Sequence, residues 1–269
     1  MAKKGLIFIF MFVVLLAGFF LSRAEYHSEA GLSVVSCPNK YTEHVVVLDF
    51  MVDAGLASQL DSKILEAWIR DSNLTLENSC IPIRRILGSI IVTDNRYGDY
   101  MTEALDERVL WKLKKQESQR YHFNNNARNV LVFVVPDNSD YDLLGTTWPK
   151  MYPNFVLLTN SANGLVLEHE LGHLAGADHE KSISEKVLGR LSFFSGNSNK
   201  AAAVFCGSQR TIMHSEVDIE KTVPVYSSAN IYFSGKRCGN DNFADNRQIL
   251  IDYYAHFFPD IRNEFNISE

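Results

Sequence analysis

From residue 44 onward the hydrophobic positions follow two rhythms. Short, continuous apolar runs of strand length occur at 44–50 (HVVVLDF), 88–94 (GSIIVTD), 129–136 (NVLVFVVP) and 154–159 (NFVLLT). A weaker run at 143–149 (LLGTTWP), closed by Trp-Pro, reads as an edge strand. Between the first two runs, Leu56, Leu60, Ile64, Leu65, Trp68 and Ile69 recur at helical spacing, and a second amphipathic helix is expected from residue 100 to about 117. A histidine-bearing helix follows the last strand. Strands this uniformly apolar are covered on both faces, which suits a twisted, mostly parallel sheet under helices, an α/β (α+β) class. After Ala177 the rhythm lapses, and up to Gly239 the chain is rich in Ser, Asn and Gly. One more helix is expected at about 243–258, capped by Asp241 or Asn242, packed through Ile249, Leu250, Tyr253, Tyr254 and Phe257, and ended by Pro259. The pattern divides the chain into a regular lobe, 41–176, and an irregular one, 177–269.

The N-terminus has a different rhythm. MAKK gives a positive start, residues 5–21 are an unbroken apolar run, and Ser22 and Ala24 stand where a leader peptidase cuts. Residues 1–24 therefore read as a secretory signal peptide, followed by a short segment, 25–40. The alternative is an uncleaved membrane anchor, although the run is short of the roughly 20 residues a spanning helix needs. Either reading exports the rest of the chain. With 269 residues, 46% of them hydrophobic, there is material for one good core. The net charge of −6, with no basic cluster, excludes nucleic acid as the expected partner, and a monomer is expected. In an oxidising compartment the four cysteines, Cys37, Cys80, Cys206 and Cys238, favour two disulfides, and neighbourhood favours Cys37–Cys80 and Cys206–Cys238 among the possible pairings.

The chemistry concentrates in LVLEHELGHLAGADHEKS, residues 165–182. Residues four apart on a helix share a face, so His169 and His173 both reach one ion. Glu170 lies about 100° round from His169, beside the ion rather than necessarily on it, and suits a base that deprotonates water. Gly172 keeps the neighbouring backbone uncluttered. Gly176 can take the left-handed conformation that ends a helix, which brings His179 back to the same ion. Three imidazoles and one open position match catalytic zinc. The bland alternative is a buried helix with hydrogen-bonded histidines; the full HExxHxxGxxH spacing in an exported chain outweighs it.

HELGHLAGADH resembles the long zinc motif of the metzincin endopeptidases. RTIMHSE, residues 210–216, resembles their methionine turn, which places Met213 beneath the metal. The resemblance implies a two-lobed metzincin fold from about residue 41 to the C-terminus, one catalytic Zn2+, a peptide or protein substrate, Glu170 as the catalytic base and His169, His173 and His179 as ligands. Glu180 after the third histidine is astacin-like, but Ser215 stands where astacins carry a tyrosine ligand. Glu180 and Thr211 depart from the reprolysin pattern, while residues 226–250 are similar to the tail of bacterial reprolysin-like and peptidyl-Asp-type enzymes, including an Asp245-Asn246 helix start. The subfamily stays open among secreted reprolysin-like members. By the same resemblance Gly145, Thr146 and Thr147 form a cleft-edge strand that binds peptide, and Val225 and Tyr226 line the pocket beyond the scissile bond.

Other candidates carry less. His214 is surplus to a filled ligand set, and His27, His44, His122 and His256 lack metal spacing. Asp178 is either an acceptor orienting a ligand or a simple turn residue. The acidic loop 136–142 lacks EF-hand spacing, so calcium is not expected. Asn73 and Asn266 begin glycosylation sequons. Cys37 is suited in position to a latency switch on zinc, but that role would leave Cys80 unpaired, and a disulfide is favoured. Two other functions compete with general proteolysis: a non-catalytic envelope or adhesion protein on this scaffold, and a dedicated protease toxin with one target.

Overall fold

The computed structural model describes residues 31–34, 37, 42–97, 113, 115, 127–137, 144–181, 200–218, 220–265 and 267. A short strand, β1 (Leu32–Val34), precedes the main sheet, which is built from β2 (His44–Val52), β3 (Ile83–Val92), β4 (Asn129–Val135), β5 (Gly145–Thr147) and β6 (Phe155–Thr159). Spatial order is β3-β2-β4-β6-β5; the first four of these run parallel, and β5 is the antiparallel edge. This is the mixed α/β class expected, and the continuous apolar runs have the reason given above: both faces are covered. One face buries Val46, Leu48, Phe50, Val132 and Val156 against α1 (Ser62–Asn78) and α2 (Gly164–Leu174). The other buries Met51, Leu131, Phe133 and Leu157 against Tyr97 and Leu113. Leu113 and Lys115 are helical, which agrees with the second amphipathic helix; the rest of it, like the segment 1–24 expected to be a signal peptide, most of the acidic loop and Asn266, lies outside the described residues.

Three boundaries differ from the sequence reading. Leu56 closes a 3-10 turn, Ala54–Leu56, under an Asp53 cap, and α1 starts only at Ser62, where the Asp61 carboxylate accepts from Ile64 N–H. Two acidic caps five to ten residues apart along an apolar stripe split what periodicity joins. Strand β3 begins at Ile83, not residue 88, because Arg84 and Arg85 disguise its start; Arg84 is exposed and Arg85 is buried. The last long helix, α3 (Asn246–Phe257), is capped by Asp245 rather than Asp241 or Asn242. Pro259 does stop it, and then opens α4 (Pro259–Glu264), where the first turn needs no proline N–H.

The C-terminal lobe is more ordered than its composition suggests. It holds a two-stranded hairpin, β7 (Phe205–Cys206) with β8 (Gln209–Arg210), and a second hairpin, β9 (Ser228–Phe233) with β10 (Lys236–Cys238). Strands this short leave too few alternations to read. β1 pairs antiparallel with β9, Leu32 opposite Phe233, so the segment set apart as 25–40 contributes the third strand of this sheet. Both expected disulfides are present: Cys37–Cys80 and Cys206–Cys238. The second ties the β7–β8 hairpin to β10. Converting Cys206 and Cys238 to serine should cost about 3–4 kcal/mol, for a loop of sequence separation 32. Chemical denaturation reads this directly, and an unchanged midpoint would contradict it.

Asn73 is occupied within the fold: its Nδ2 donates to the Arg85 carbonyl at 2.9 Å and its Oδ1 accepts from the Arg85 N–H at 2.7 Å, covering the outer edge of β3. The sequon there therefore marks a structural amide. Among the described residues, no helix is long and apolar enough to cross a membrane.

Candidate metal centre

Helix α2 begins where Asn163 Oδ1 accepts from the N–H groups of Leu165 and Val166. It is buried almost all round, through Val166, Leu167, Leu171 and Leu174. It ends because Gly176 adopts φ +89°, with Ala177 N–H returning to the Gly172 carbonyl and Gly176 N–H to His173. The reversal carries His179 back over the helix. The Nε2 atoms of His169, His173 and His179 then lie 3.0–3.1 Å from one another.

The donor set can be tested against zinc by its protons. His169 Nδ1 lies 2.8 Å from the Ile212 carbonyl and His173 Nδ1 3.0 Å from the Ala177 carbonyl. A carbonyl only accepts, so each ring carries its proton on Nδ1 and turns an Nε2 lone pair inward. Lone pairs facing each other at this distance repel unless a cation sits between them. Tetrahedral zinc with bonds of about 2.0–2.1 Å places its nitrogens about 3.3 Å apart, so the residues fit the ion. The fit extends to electrostatics. Burial, and then the neighbouring His173, pushes His169 down to about 3, and burial lowers His173 as well, so both rings are neutral and ligand-ready.

Glu170 is 6% exposed, and burial pushes its carboxyl up to about 8. It faces the same groove as the histidines, a cleft of about 1170 Å³ whose opposite rim is Gly145, Thr146 and Thr147 of β5. The approach is close: a β-carbon at position 145 would lie 2.9 Å from Glu170 Cγ. Met213 is fully buried beneath α2, where a β-carbon at Gly172 would meet its sulfur at 2.5 Å.

Val225 and Tyr226 correct the sequence reading. Both are fully buried and neither lines the groove. Val225 packs with Leu32, Ile231 and the Cys206–Cys238 pair. The Tyr226 hydroxyl donates to Glu168 Oε1 at 2.7 Å. His214 is not in the three-histidine group; it lies against Phe205 and 3.8 Å from Glu180 Oε2. The Asp178 Oδ1 accepts from the backbone N–H of His179.

Three features escaped the sequence. Glu168, fully buried beside the first ligand, pairs with buried Arg85 at 3.2 Å and accepts from Ser72 at 2.6 Å, while Arg85 reaches Tyr254 at 2.7 Å. A second acid on the helix, two residues before Glu170, and an arginine inside an apolar strand were the available signals. Glu180, next after the third ligand, accepts from both the N–H and hydroxyl of Ser215 on the methionine turn. Asn246 is fully buried against the loop that carries His179.

The metal-free protein should have a distinctive pH profile. His169 binds a proton in the unfolded chain but not the folded one between about 3 and 6.5, so its contribution makes stability rise with pH there. Glu170 has the opposite sign: between 4.5 and about 8 the folded chain holds the proton and the unfolded one does not, so stability falls. Above the histidine window only the fall remains, on the order of 2 kcal/mol between about pH 6.5 and 8. Denaturant unfolding of chelator-treated protein measures it. The decline should vanish in Glu170→Gln, and its persistence there would assign it elsewhere.

No protein-family model matches this chain, and no curated protein matches it. Similar solved structures include "Structure of a chaperone-substrate complex", with a TM-score of 0.51 and 15% identity, covering 80% of this chain and 34% of that one. The chain thus spans about a third of that protein's length. Another is "Tannerella forsythia mature mirolysin in complex with a cleaved peptide", with a TM-score of 0.42 and 17% identity, covering 85% of this chain and 97% of that one. At 15% identity the first likeness concerns the fold alone.

Proposed function

We propose that the chain is an exported zinc endopeptidase of the metzincin type. The observation that carries the proposal is the set of three inward-turned Nε2 atoms, 3.0–3.1 Å apart, with the Glu170 carboxyl on the same groove. His169, His173 and His179 hold the ion. When bound, zinc supplies a Lewis acid that polarises a peptide carbonyl and acidifies water. Glu170 takes the proton of the attacking water and delivers it to the departing amine nitrogen. A cation held by the three histidines would lower the Glu170 pKa, which would leave its carboxylate available as a base near neutral pH. Among the described residues strand β5 pairs with β6 on one side, and its other edge offers main-chain N–H and C=O groups to an extended peptide across Gly145, Thr146 and Thr147. Export is supported by the apolar leader and by two disulfides, which persist outside the reducing cytosol.

The test is a purified mature chain with its metal content measured and its cleavage of casein followed. One zinc per chain, loss of cleavage with a chelator and recovery with zinc are expected. A protein that takes up zinc but cleaves neither casein nor a diverse peptide library would overturn the peptidase reading, and one that takes up no zinc would overturn the metal site itself.

A further inference from the structure

The three ligands are not held alike. His169 and His173 stand on one rigid helix, and each ring is fixed by a carbonyl. His179 lies five residues beyond the end of α2, in a loop, and its place depends on what grips that loop. Ala177 is held by local bonds: its N–H closes the helix end and its carbonyl takes the His173 ring. Asp178 is held differently. Its N–H donates to Asn246 Oδ1 at 3.1 Å, and its carbonyl accepts from Asn246 Nδ2 at 2.9 Å. Asn246 is the first residue of α3, far along the chain and fully buried. Both ends of its amide are used on this one residue.

The geometry of a peptide plane gives this grip its reach. The Asp178 carbonyl and the His179 N–H belong to the same planar unit, so fixing that carbonyl fixes the direction in which the His179 Cα leaves. The Asp178 N–H fixes the plane before it. Asn246 is itself anchored: its backbone N–H donates to Ser227 Oγ at 3.0 Å, and Ser227 donates to the Ala202 carbonyl at 2.6 Å. On the far side of His179, Glu180 is tied to Ser215. The third ligand therefore hangs between two clamps, of which the buried one comes from the C-terminal helix.

We infer that Asn246 is a positioning residue for the metal centre: it sets the peptide plane that presents His179 and so raises the affinity of the three-histidine site for its ion. The inference rests on the zinc reading of that site. Groups that orient a ligand without touching the metal commonly contribute about 10- to 100-fold in affinity. Asn246→Ala should weaken zinc binding within that range, read by competition against a chromophoric chelator rather than by turnover. Cobalt substituted for zinc should show an altered visible absorption band in the variant, because the third nitrogen is displaced. In a His179→Ala background, Asn246→Ala should weaken the residual zinc binding no further, since the group it positions is gone.

Asn246→Asp covers the case in which alanine prevents folding. It keeps the shape and the acceptor for the Asp178 N–H and loses the donor to the carbonyl, so weaker zinc binding is expected there too. Wild-type affinity and an unchanged cobalt spectrum in a folded Asn246 variant would overturn the inference while leaving the zinc site intact. Equal losses from Asn246→Ala with and without His179 would also overturn it, by showing that its effect does not run through that ligand. A wild-type chain that binds no zinc would overturn both this inference and the functional reading beneath it.

Discussion

Glu170→Gln is expected to lose about 10²- to 10⁴-fold in peptide hydrolysis and to keep its zinc. The amide matches the carboxyl in shape and fills the same position between α2 and the Gly145 rim. What it lacks is a basic oxygen for the proton of water. The loss should fall on kcat, with KM little changed, because β5 and the groove proposed to hold the peptide are untouched. Since burial already favours the neutral carboxyl, the substitution should also leave the metal-free protein at least as stable near neutral pH. Zinc analysis beside steady-state kinetics decides the matter, and near-wild-type turnover in a verified, zinc-loaded variant would remove Glu170 from the chemistry.

Arg85→Ala is expected to lower stability by about 3–5 kcal/mol, through a mechanism unrelated to the groove. Arg85 and Glu168 have fully buried side chains 3.2 Å apart, and removing the guanidinium leaves a carboxylate inside the core with only neutral donors, Ser72 and Tyr226. Adding Glu168→Gln should recover part of the loss, because the stranded charge goes with it. Urea unfolding of the two variants checks both signs. Zinc affinity should fall as well in Arg85→Ala, since Glu168 immediately precedes His169 and anchors that turn of α2 to Arg85 of β3 and Ser72 of α1. A stability equal to wild type would mean that the pair is compensated by its surroundings more completely than its burial implies.

The parts of this molecule legible in the sequence are those where one physical signal dominates locally. Doubly covered parallel strands show as unbroken apolar runs, and the three-histidine cluster shows as a spacing that a helix followed by a glycine reversal explains. Disulfide pairing by neighbourhood also agreed with the structure. What escaped depends on partners far along the chain. Nothing near Arg85 announces that Glu168 waits for it, and Asn246 looks like any residue at a helix start until Asp178 is brought beside it. Tyr226 illustrates the opposite error. Its segment follows the methionine turn as in the resembled family, but here a buried acid takes the hydroxyl and draws the ring inward, away from the groove. Strands β7, β8 and β10 were hidden for a simpler reason, since two or three residues cannot display a period.

The pairing of β1 with β9 bears on the order in which the protein is made. A chain leaves the ribosome from its N-terminus, so Leu32–Val34 is made long before its partner Ser228–Phe233. The Cys37–Cys80 link can close early and keep that strand close to the first lobe while it waits. The sheet of the second lobe is then completed only after residue 238, when β10 and the Cys206–Cys238 bond come into reach. Met213 and Ser215 lie inside the span that this late step braces. A nascent chain accordingly holds all three histidines well before it owns the floor and the clamp beneath them, so the histidine group is completed late, from segments made last.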